Sequence, residues 1–232
     1  MSGNTDSGRP GSADTPGGPN GSDASTGKRV VKLLAKGIVG VVAGVFAYLC
    51  GYALTFLLMA TRVQQYLDST AGSSVDFSQV AARFGEEALP SSAKVVSWFY
   101  LGAHNVGFRL EGQALGQQDS AQVSITASPV WNDLLFVVPP LVLLAVGYLY
   151  HTQVTSGDRF RWLGTGLLLA VGYVAVSIPV MVFSFWFLNL GLAGISLTPL
   201  AGQGVLLTAA YGLVFGTAGA VVGHVRTRRS AG

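Results

Sequence analysis

Charged side chains are scarce in this chain and absent from four long stretches. Asp, Glu, Lys and Arg make up 11% of the residues, against roughly 25% in a soluble domain. Residues 37–60, 134–150, 162–192 and 199–223 contain none of these and no His. Each stretch is close to or longer than the roughly 20 helical residues that cross a hydrocarbon core. The absence of charge excludes a soluble domain and predicts a membrane protein with four spans.

The same scarcity removes the groups that usually carry chemistry inside a membrane. Ionisable side chains in a bilayer are costly and mark proton relays, ion paths or catalytic sites. No phosphate loop, nucleophile elbow or His-Glu-x-x-His helix occurs in the chain. The single cysteine, Cys50, excludes an internal disulfide. We therefore expect no catalytic residue, no cofactor and no metal site.

Two weak patterns outside the spans are explained better without chemistry. His104 could approach Glu111 and two earlier glutamates, but no pair of them has a recognised metal-ligand spacing. Ser91 and Lys94 form the Ser-x-x-Lys pattern of penicillin-binding enzymes, but the companion motifs are absent and that fold is larger than this segment. We interpret both as structural residues.

Basic residues mark the ends of the predicted spans. Of the 14 Lys and Arg residues, ten lie before span one, between spans two and three, or after span four. Because cytoplasmic loops hold the excess of Lys and Arg, both termini should be cytoplasmic. This placement explains the formal charge of +3 without an anionic partner, so we expect no nucleic-acid binding. Trp131, Tyr150, Trp162 and Trp186 lie near span ends, as in an interfacial belt.

The first 27 residues are rich in Gly, Ser, Thr, Asp and Pro and hold too little apolar surface to fold. The predicted fold class is an all-α membrane protein, a four-transmembrane-helix bundle with a small external α/β segment between helices 1 and 2. The predicted divisions are a disordered cytoplasmic tail (1–27), a basic interfacial lead-in (28–36), transmembrane helix 1 (37–60), an extracytoplasmic segment (61–130), transmembrane helices 2 (131–150), 3 (162–188) and 4 (199–224), and a basic cytoplasmic tail (225–232).

Prolines and length make spans two and three irregular. Pro139 and Pro140 should interrupt span two, and Pro179 should kink span three. The apolar stretch of span three is also longer than a bilayer is thick. We therefore expect it to tilt and kink, or residues 187–192 to lie along the outer interface.

Small residues follow one face of span one and one face of span four. They recur at steps of three or four residues, and such a stripe lets another helix backbone approach closely. We expect spans one and four to pack against each other, antiparallel, within the monomer; the alternative is a homodimer contact. The predicted helix-packing residues are Gly37, Gly40, Gly44, Gly51, Gly212, Gly216, Gly219 and Gly223.

The extracytoplasmic segment, residues 61–130, should contain two helices and a hairpin. Asp76 fits the N-cap of the first helix. Ala93–Ala103 is an apolar run too short to span a bilayer, and it predicts an interfacial or re-entrant helix. Val106–Leu110 and Gln122–Thr126 have the composition of short strands, which predicts a hairpin.

The arrangement as a whole resembles a known group of proteins. The chain has an Asp-, Ser- and Gly-rich tail, a glycine-striped first span, an outer segment with the sequence WFYLGAHNVGFR (Trp98–Arg109) and three further spans. Over residues 30–225 this resembles an uncharacterised family of multi-span integral membrane proteins of halophilic archaea. The resemblance implies a membrane fold but no activity and no functional residues. One departure is the mildly basic charge, because haloarchaeal proteins are usually strongly acidic.

The leading functional hypothesis is a non-enzymatic scaffold or interaction subunit that acts through its extracytoplasmic segment. It would lie in a lipid bilayer and contact a second copy or another membrane protein. The candidate residues for external interaction are Trp98, Phe99, Tyr100, His104, Asn105 and Arg109.

The alternative is a small oligomeric transporter or channel for a neutral solute. The prolines of spans two and three would break its helices, as they do in transporters. Its polar lining would be scant and would consist of Thr165, Ser177, Ser184 and Thr208.

Overall fold

The computed structural model describes residues 23–68, 85, 88–114, 117–128, 131–154, 161–189, 191 and 193–229. Two predicted features lie outside the described residues: the tail up to residue 22 and the helix after Asp76. The chain divides into two compact units, residues 1–35 and 36–232. The described residues of the first unit are helical, and all packing given below belongs to the second.

Five α-helices and four strands make up most of the described residues. Two 3₁₀ turns, Ile125–Ala127 and Asp133–Val137, lie between the second strand and the third α-helix. In chain order the helices and strands are α1 (Asp23–Asp68), α2 (Ser92–Gly102), β1 (Phe108–Ala114), β2 (Gln117–Val123), α3 (Val138–Val154), α4 (Arg161–Phe183), β3 (Trp186–Asn189), β4 (Ala193–Pro199) and α5 (Ala201–Arg229).

Four helical segments are long and apolar enough to cross a membrane, which confirms that part of the fold prediction. Their outer faces expose large apolar side chains, including Leu57 at 75%, Val182 at 73% and Leu206 at 73%. Such surfaces are unfavourable in water and suit contact with lipid chains. The four segments are Leu34–Val63, Asp133–Val154, Trp162–Phe183 and Ala201–Arg229.

The prolines begin one of these helices and lie inside another. Pro139 and Pro140 occupy the first turn of α3, directly after a 3₁₀ turn. The first N–H groups of a helix have no intrahelical partner, so the two prolines start α3 and do not interrupt it. Pro179 lies inside α4, as predicted, but α4 ends at Phe183 and the chain then forms a strand.

The glycine stripe of α1 packs against α4. A Cβ atom added to Gly40 would lie 2.8 Å from Cβ of Leu168, and one added to Gly44 would meet the backbone carbonyl of Leu169. Gly172 of α4 makes the reciprocal contact with the α1 backbone. The two backbones therefore approach too closely at these positions for any side chain.

The glycine stripe of α5 divides between two helices. A Cβ atom on Gly212 would lie 2.7 Å from Cα of Ala170 in α4, and one on Gly219 would meet the carbonyl of Leu144 in α3. The prediction that the stripes of spans one and four contact each other is therefore wrong, since each stripe packs against other helices. The reason is that α4 carries small residues of its own. The stripe positions that meet α4 are Gly37, Gly40, Gly44, Gly212 and Gly216, and those that meet α3 are Gly219, Gly223 and also Gly216, which faces Gly147.

The order of contacts shows how the helices run. Along α1 and α4 the contacting positions rise together, as they do along α3 and α5, so each of these pairs is parallel. Between α4 and α5 they run in opposite directions. At one end of the bundle the Tyr150 hydroxyl donates to the Lys36 carbonyl at 2.7 Å, and the His151 and His224 rings lie 5.7 Å apart. The beginning of the second unit and the end of α5 therefore lie at the same end.

The four strands form one antiparallel sheet in the order β2-β1-β4-β3. A hairpin is present, as predicted, and is formed by β1 and β2, with Glu111 opposite Ser120. Its strands differ from the predicted residues 106–110 and 122–126, because they extend into the polar stretch that was expected to separate them. The other two strands were not predicted, and β4 pairs with β1 so that Glu111 also lies opposite Ser196. The part outside the long helices is therefore α/β, as predicted, but it is not confined to the segment between helices 1 and 2, since the sheet joins the segment before α3 to the connection between α4 and α5.

Helix α2 is buried among other elements, although an interfacial or re-entrant position was expected. Every residue from Val95 to Gly102 is buried. One side packs on α1, where a Cβ atom on Gly51 would meet the Tyr100 hydroxyl. Other side chains share a core with the apolar face of the sheet, including Phe108 and Leu197. The short apolar run thus links the bundle to the sheet.

We predict that Gly172→Ala lowers thermal stability in detergent. The new methyl group would meet the carbonyl of Val41, and backbone atoms cannot move aside as a flexible side chain can. Overpacking of this kind costs about 1–3 kcal/mol. Gly164→Ala in the same helix is the control, because an added Cβ there has no atom within 4 Å. Equal unfolding temperatures for the two variants would contradict the α1–α4 contact.

Candidate functional site

The residues predicted for external interaction fall into two groups. Trp98, Phe99, Tyr100 and His104 are buried, with exposed fractions of 6%, 3%, 0% and 0%. Arg109 is on the surface, with 57% of its side chain exposed. Asn105 is also exposed. Only these last two are accessible to a partner, because burial removes the four aromatic residues from any contact surface.

His104 and Asn105 terminate α2. The His104 Nδ1 atom lies 2.8 Å from the Tyr100 carbonyl, which would otherwise be an unpaired group at the helix end. Asn105 has φ of 59°, a left-handed conformation that Asn tolerates better than most residues. The chain then turns into β1, and the Gln203 side chain accepts from Gly107 N–H at 3.2 Å and donates to the Asn105 carbonyl at 3.2 Å.

The hydrogen bonds of His104 determine its tautomer. Because a carbonyl only accepts, Nδ1 carries the hydrogen in its bond to Tyr100. Nε2 is then the acceptor, and the Tyr173 hydroxyl donates to it at 2.7 Å. The Tyr100 hydroxyl in turn donates to Tyr173 at 2.8 Å. The result is a closed ring of hydrogen bonds between α2 and α4 in which His104 is neutral.

Tyr48 of α1 completes this group, which we call the tyrosine–histidine cluster (Tyr48, Tyr100, His104 and Tyr173). Its ring lies edge-on to Tyr100 at 5.0 Å and to Tyr173 at 4.9 Å. The Tyr48 hydroxyl is buried and has no hydrogen-bond partner among the described residues. Burial lowers the pKa of His104 to about 4, although its bond to the Tyr100 carbonyl acts in the opposite direction. The cluster is closed to substrates and holds α2 in place.

Serine side chains fix the other side of α2. Ser97 and Ser184 hydroxyls lie 2.6 Å apart, and the Trp98 indole N–H donates to the Ser184 carbonyl at 2.7 Å. At the start of the helix, the Ser91 hydroxyl accepts from Lys94 N–H at 3.3 Å. The Ser-x-x-Lys pattern is thus an N-cap.

The accessible candidate is one face of the sheet. Side chains alternate between the two faces of a strand, and the register aligns the outward residues in three rows across the sheet. The opposite face carries Phe108, Leu110, Leu197 and Trp186 and packs on the core. We call the polar side the outer sheet face: Arg109, Glu111, Gln113, Gln118, Ser120, Gln122, Phe187, Asn189, Gly194, Ser196 and Thr198.

Two of these rows line a concavity of ≈ 370 Å³. One row runs Ser120, Glu111, Ser196 and Phe187 across all four strands. The next contains Gln118, Gln113 and Gly194, and Asp119 adds to the wall. The Phe187 side chain is 55% exposed, and its ring reaches over Gly194, where an added Cβ would lie 3.4 Å from it.

Sequence reasoning proposed only one residue of the outer sheet face as an interaction residue. Arg109 was identified, and Glu111 was considered only as a metal ligand. The residues of β3 and β4 were missed because their apolar side chains continue the uncharged stretch of span three. The stretch Trp186–Asn189 contained no strand signal, because three consecutive apolar residues precede Asn189, and the alternation of buried and exposed side chains is seen only in the structure. Among the described residues, no three of His, Cys, Asp or Glu lie together as metal ligands would.

We predict that Tyr173→Phe destabilises the protein and that Tyr48→Phe does not. Loss of the Tyr173 hydroxyl leaves buried Nε2 of His104 without a partner, which costs about 1–3 kcal/mol, while the Tyr100 hydroxyl can still donate to the Tyr48 carbonyl at 3.3 Å. The Tyr48 hydroxyl makes no such bond, so its removal relieves a buried unpaired group. Thermal unfolding in detergent checks this pair of variants. Equal losses from both would contradict the hydrogen-bond ring.

The tyrosine–histidine cluster also predicts an acid-side loss of stability. The pKa of His104 is about 4 in the folded chain, and its ordinary value is 6.5. Between these values His104 binds a proton in the unfolded chain but not in the folded chain. The contribution of neutral His104 to the free energy of unfolding is therefore fully present above about pH 6.5. It falls by about 3 kcal/mol in total as the pH drops toward 4. We expect wild-type unfolding temperatures to fall more steeply over this range than those of His104→Gln. Parallel curves would contradict a neutral His104.

The comparison with known proteins gives a family match. A model described as a family of unknown function (DUF7978) matches residues 20–227. No curated protein and no solved structure matches the chain. Since the match covers nearly all of the 232 residues, the chain belongs to this family of unknown function.

Proposed function

We propose that the chain is a multi-pass membrane protein that works by binding, with the outer sheet face as its recognition surface. The observation that carries the proposal is the concavity lined by Glu111, Gln113 and Phe187, which is polar, accessible and built from all four strands. Binding sites are typically concave and combine an apolar contact with a few convergent polar groups.

The buried polar residues support binding over transport. Ser177 and Thr208 hydroxyls lie 3.2 Å apart, and Thr208 also donates to the Gly204 carbonyl at 2.8 Å. Ser184 bonds to Ser97 in α2. These hydroxyls hold elements together, as polar groups do between membrane helices, so they are poorly placed to line a solute path.

The burial of the tyrosine–histidine cluster supports binding over catalysis. His104 and Tyr173 are both 0% exposed, so a substrate has no access to these two titratable groups. A general acid or base must come within hydrogen-bond reach of the reacting group. The cluster therefore suits a structural role. The recognition surface that we propose is on the sheet.

The direction of the helices supports an extracytoplasmic position for the sheet. Phe183 at the end of α4 leads into β3, and Pro199 at the end of β4 leads into α5. Lys36, Arg226 and Arg228 belong to the opposite ends of their helices. Because excess Lys and Arg remain cytoplasmic, we assign the outer sheet face to the other side of the membrane.

Sidedness is tested by thiol labelling in intact cells. In a Cys50→Ala background, we expect Gln118→Cys to react with a membrane-impermeant maleimide without permeabilisation. Thr227→Cys, exposed near the end of α5, should react only after permeabilisation. Labelling of position 118 only in permeabilised cells would reverse the orientation.

Recognition is tested by photo-crosslinking from the outer sheet face. A benzophenone side chain at position 118 should give a discrete adduct in cells, because a ligand in the concavity would lie beside it. Ile178, exposed by 48% on a span, is the control position and should give only lipid adducts. The same adducts from both positions would refute the proposed recognition surface.

A further inference from the structure

We propose that the concavity of the outer sheet face binds a neutral saccharide, an inference that rests on the proposed recognition surface. The argument comes from the chemistry and placement of the lining side chains. A sugar ring has hydroxyl groups around its edge and a face of C–H groups. Its site needs paired donors and acceptors beside one exposed aromatic ring.

Phe187 provides the aromatic ring. It is the apolar side chain that projects into the concavity, and 55% of it is exposed. Its ring extends toward Gly194, where the lack of a side chain leaves room beside it. An exposed aromatic face is energetically costly without a ligand and can pack against C–H groups.

The polar lining provides donors and acceptors in nearly equal measure. Gln113 and Gln118 lie opposite each other on β1 and β2, and each amide can donate and accept. The hydroxyls of Ser120 and Ser196 flank Glu111 in the next row and can also do both; Ser120 is exposed, whereas Ser196 is 8% exposed at the base of the concavity. Hydroxyl groups of a sugar have the same dual capacity, so each can be paired in two directions.

The charges favour a neutral ligand. Glu111 lies 3.8 Å from the Arg109 guanidinium, and Asp119 accepts from Ser120 N–H at 2.8 Å, so both carboxylates have partners in the protein. Among the residues that the structure describes, no Lys lines the concavity, and the Glu111 carboxylate would repel a phosphate or carboxylate ligand. The volume of ≈ 370 Å³ is at the lower end of ligand sites and suits one or two sugar rings.

The test uses the full chain in lipid nanodiscs, because maltoside detergents carry the ligand class under study. The probe is an array of immobilised glycans, with neutral mono- and disaccharides, sialylated and sulfated glycans on the same surface. We expect binding to neutral glycans, with competition by the matching free sugar. Binding confined to the anionic glycans, or to none of them, would overturn the inference.

Matched variants connect the binding to the concavity. Phe187→Ala should weaken binding at least tenfold, and Gln113→Ala with Gln118→Ala should do the same. Phe183→Ala removes a ring of similar exposure, 48% against 55%, at the end of α4 and outside the outer sheet face, so this variant should bind normally. Retained binding by Phe187→Ala, with an unchanged unfolding temperature, would also overturn the inference.

The outcomes separate this inference from the proposed function. A discrete adduct from position 118 together with no neutral-glycan binding would leave the recognition surface standing and exclude the saccharide. Absence of both would exclude the recognition surface as well. A basic peptide that competes for the adduct would identify the Glu111 carboxylate as the main contact and would replace the saccharide with a cationic ligand.

Discussion

The hydrogen bond from Tyr173 to neutral His104 is the contact on which the position of the sheet depends. It joins α4 to the end of α2, and the same histidine caps the Tyr100 carbonyl. Within three residues the chain becomes β1, so the anchoring of His104 also sets where the first strand begins. A charged imidazole could not accept this bond. The burial that keeps His104 neutral is therefore part of how the fold is maintained.

The sequence predicted the four long helices because length and lack of charge alone determine whether a segment can cross a bilayer. It did not predict which helices meet. Gly44 and Gly212 would permit close approach by any neighbouring helix, and both pack against α4. A stripe of small residues identifies a contact surface but not its partner. That choice depends on side chains such as Leu168 and Ala170, whose positions follow from the whole bundle.

Burial of α2 was also beyond the sequence pattern. The run around Trp98 is apolar on all sides, which is equally consistent with an interfacial helix and with a core helix. The deciding contacts are nonlocal: Trp98 and Ser97 reach Ser184, and Tyr100 reaches Tyr173. The most distinctive part of the sequence, Trp98–Arg109, therefore records a helix end and its anchoring, with only its last residue on the outer sheet face.

The outer sheet face follows from a pairing between distant parts of the chain. The β1–β2 hairpin alone would bring together Glu111 and Ser120, but Phe187 and Ser196 join them only because β4 lies against β1. Since β3 and β4 are held between α4 and α5, the bundle aligns the aromatic ring with the polar strands. The concavity therefore depends on the contact between α4 and α5 as well as on the pairing of the strands. The long apolar helices support a concavity that none of them contains, so their lack of ionisable groups is compatible with the proposed binding function.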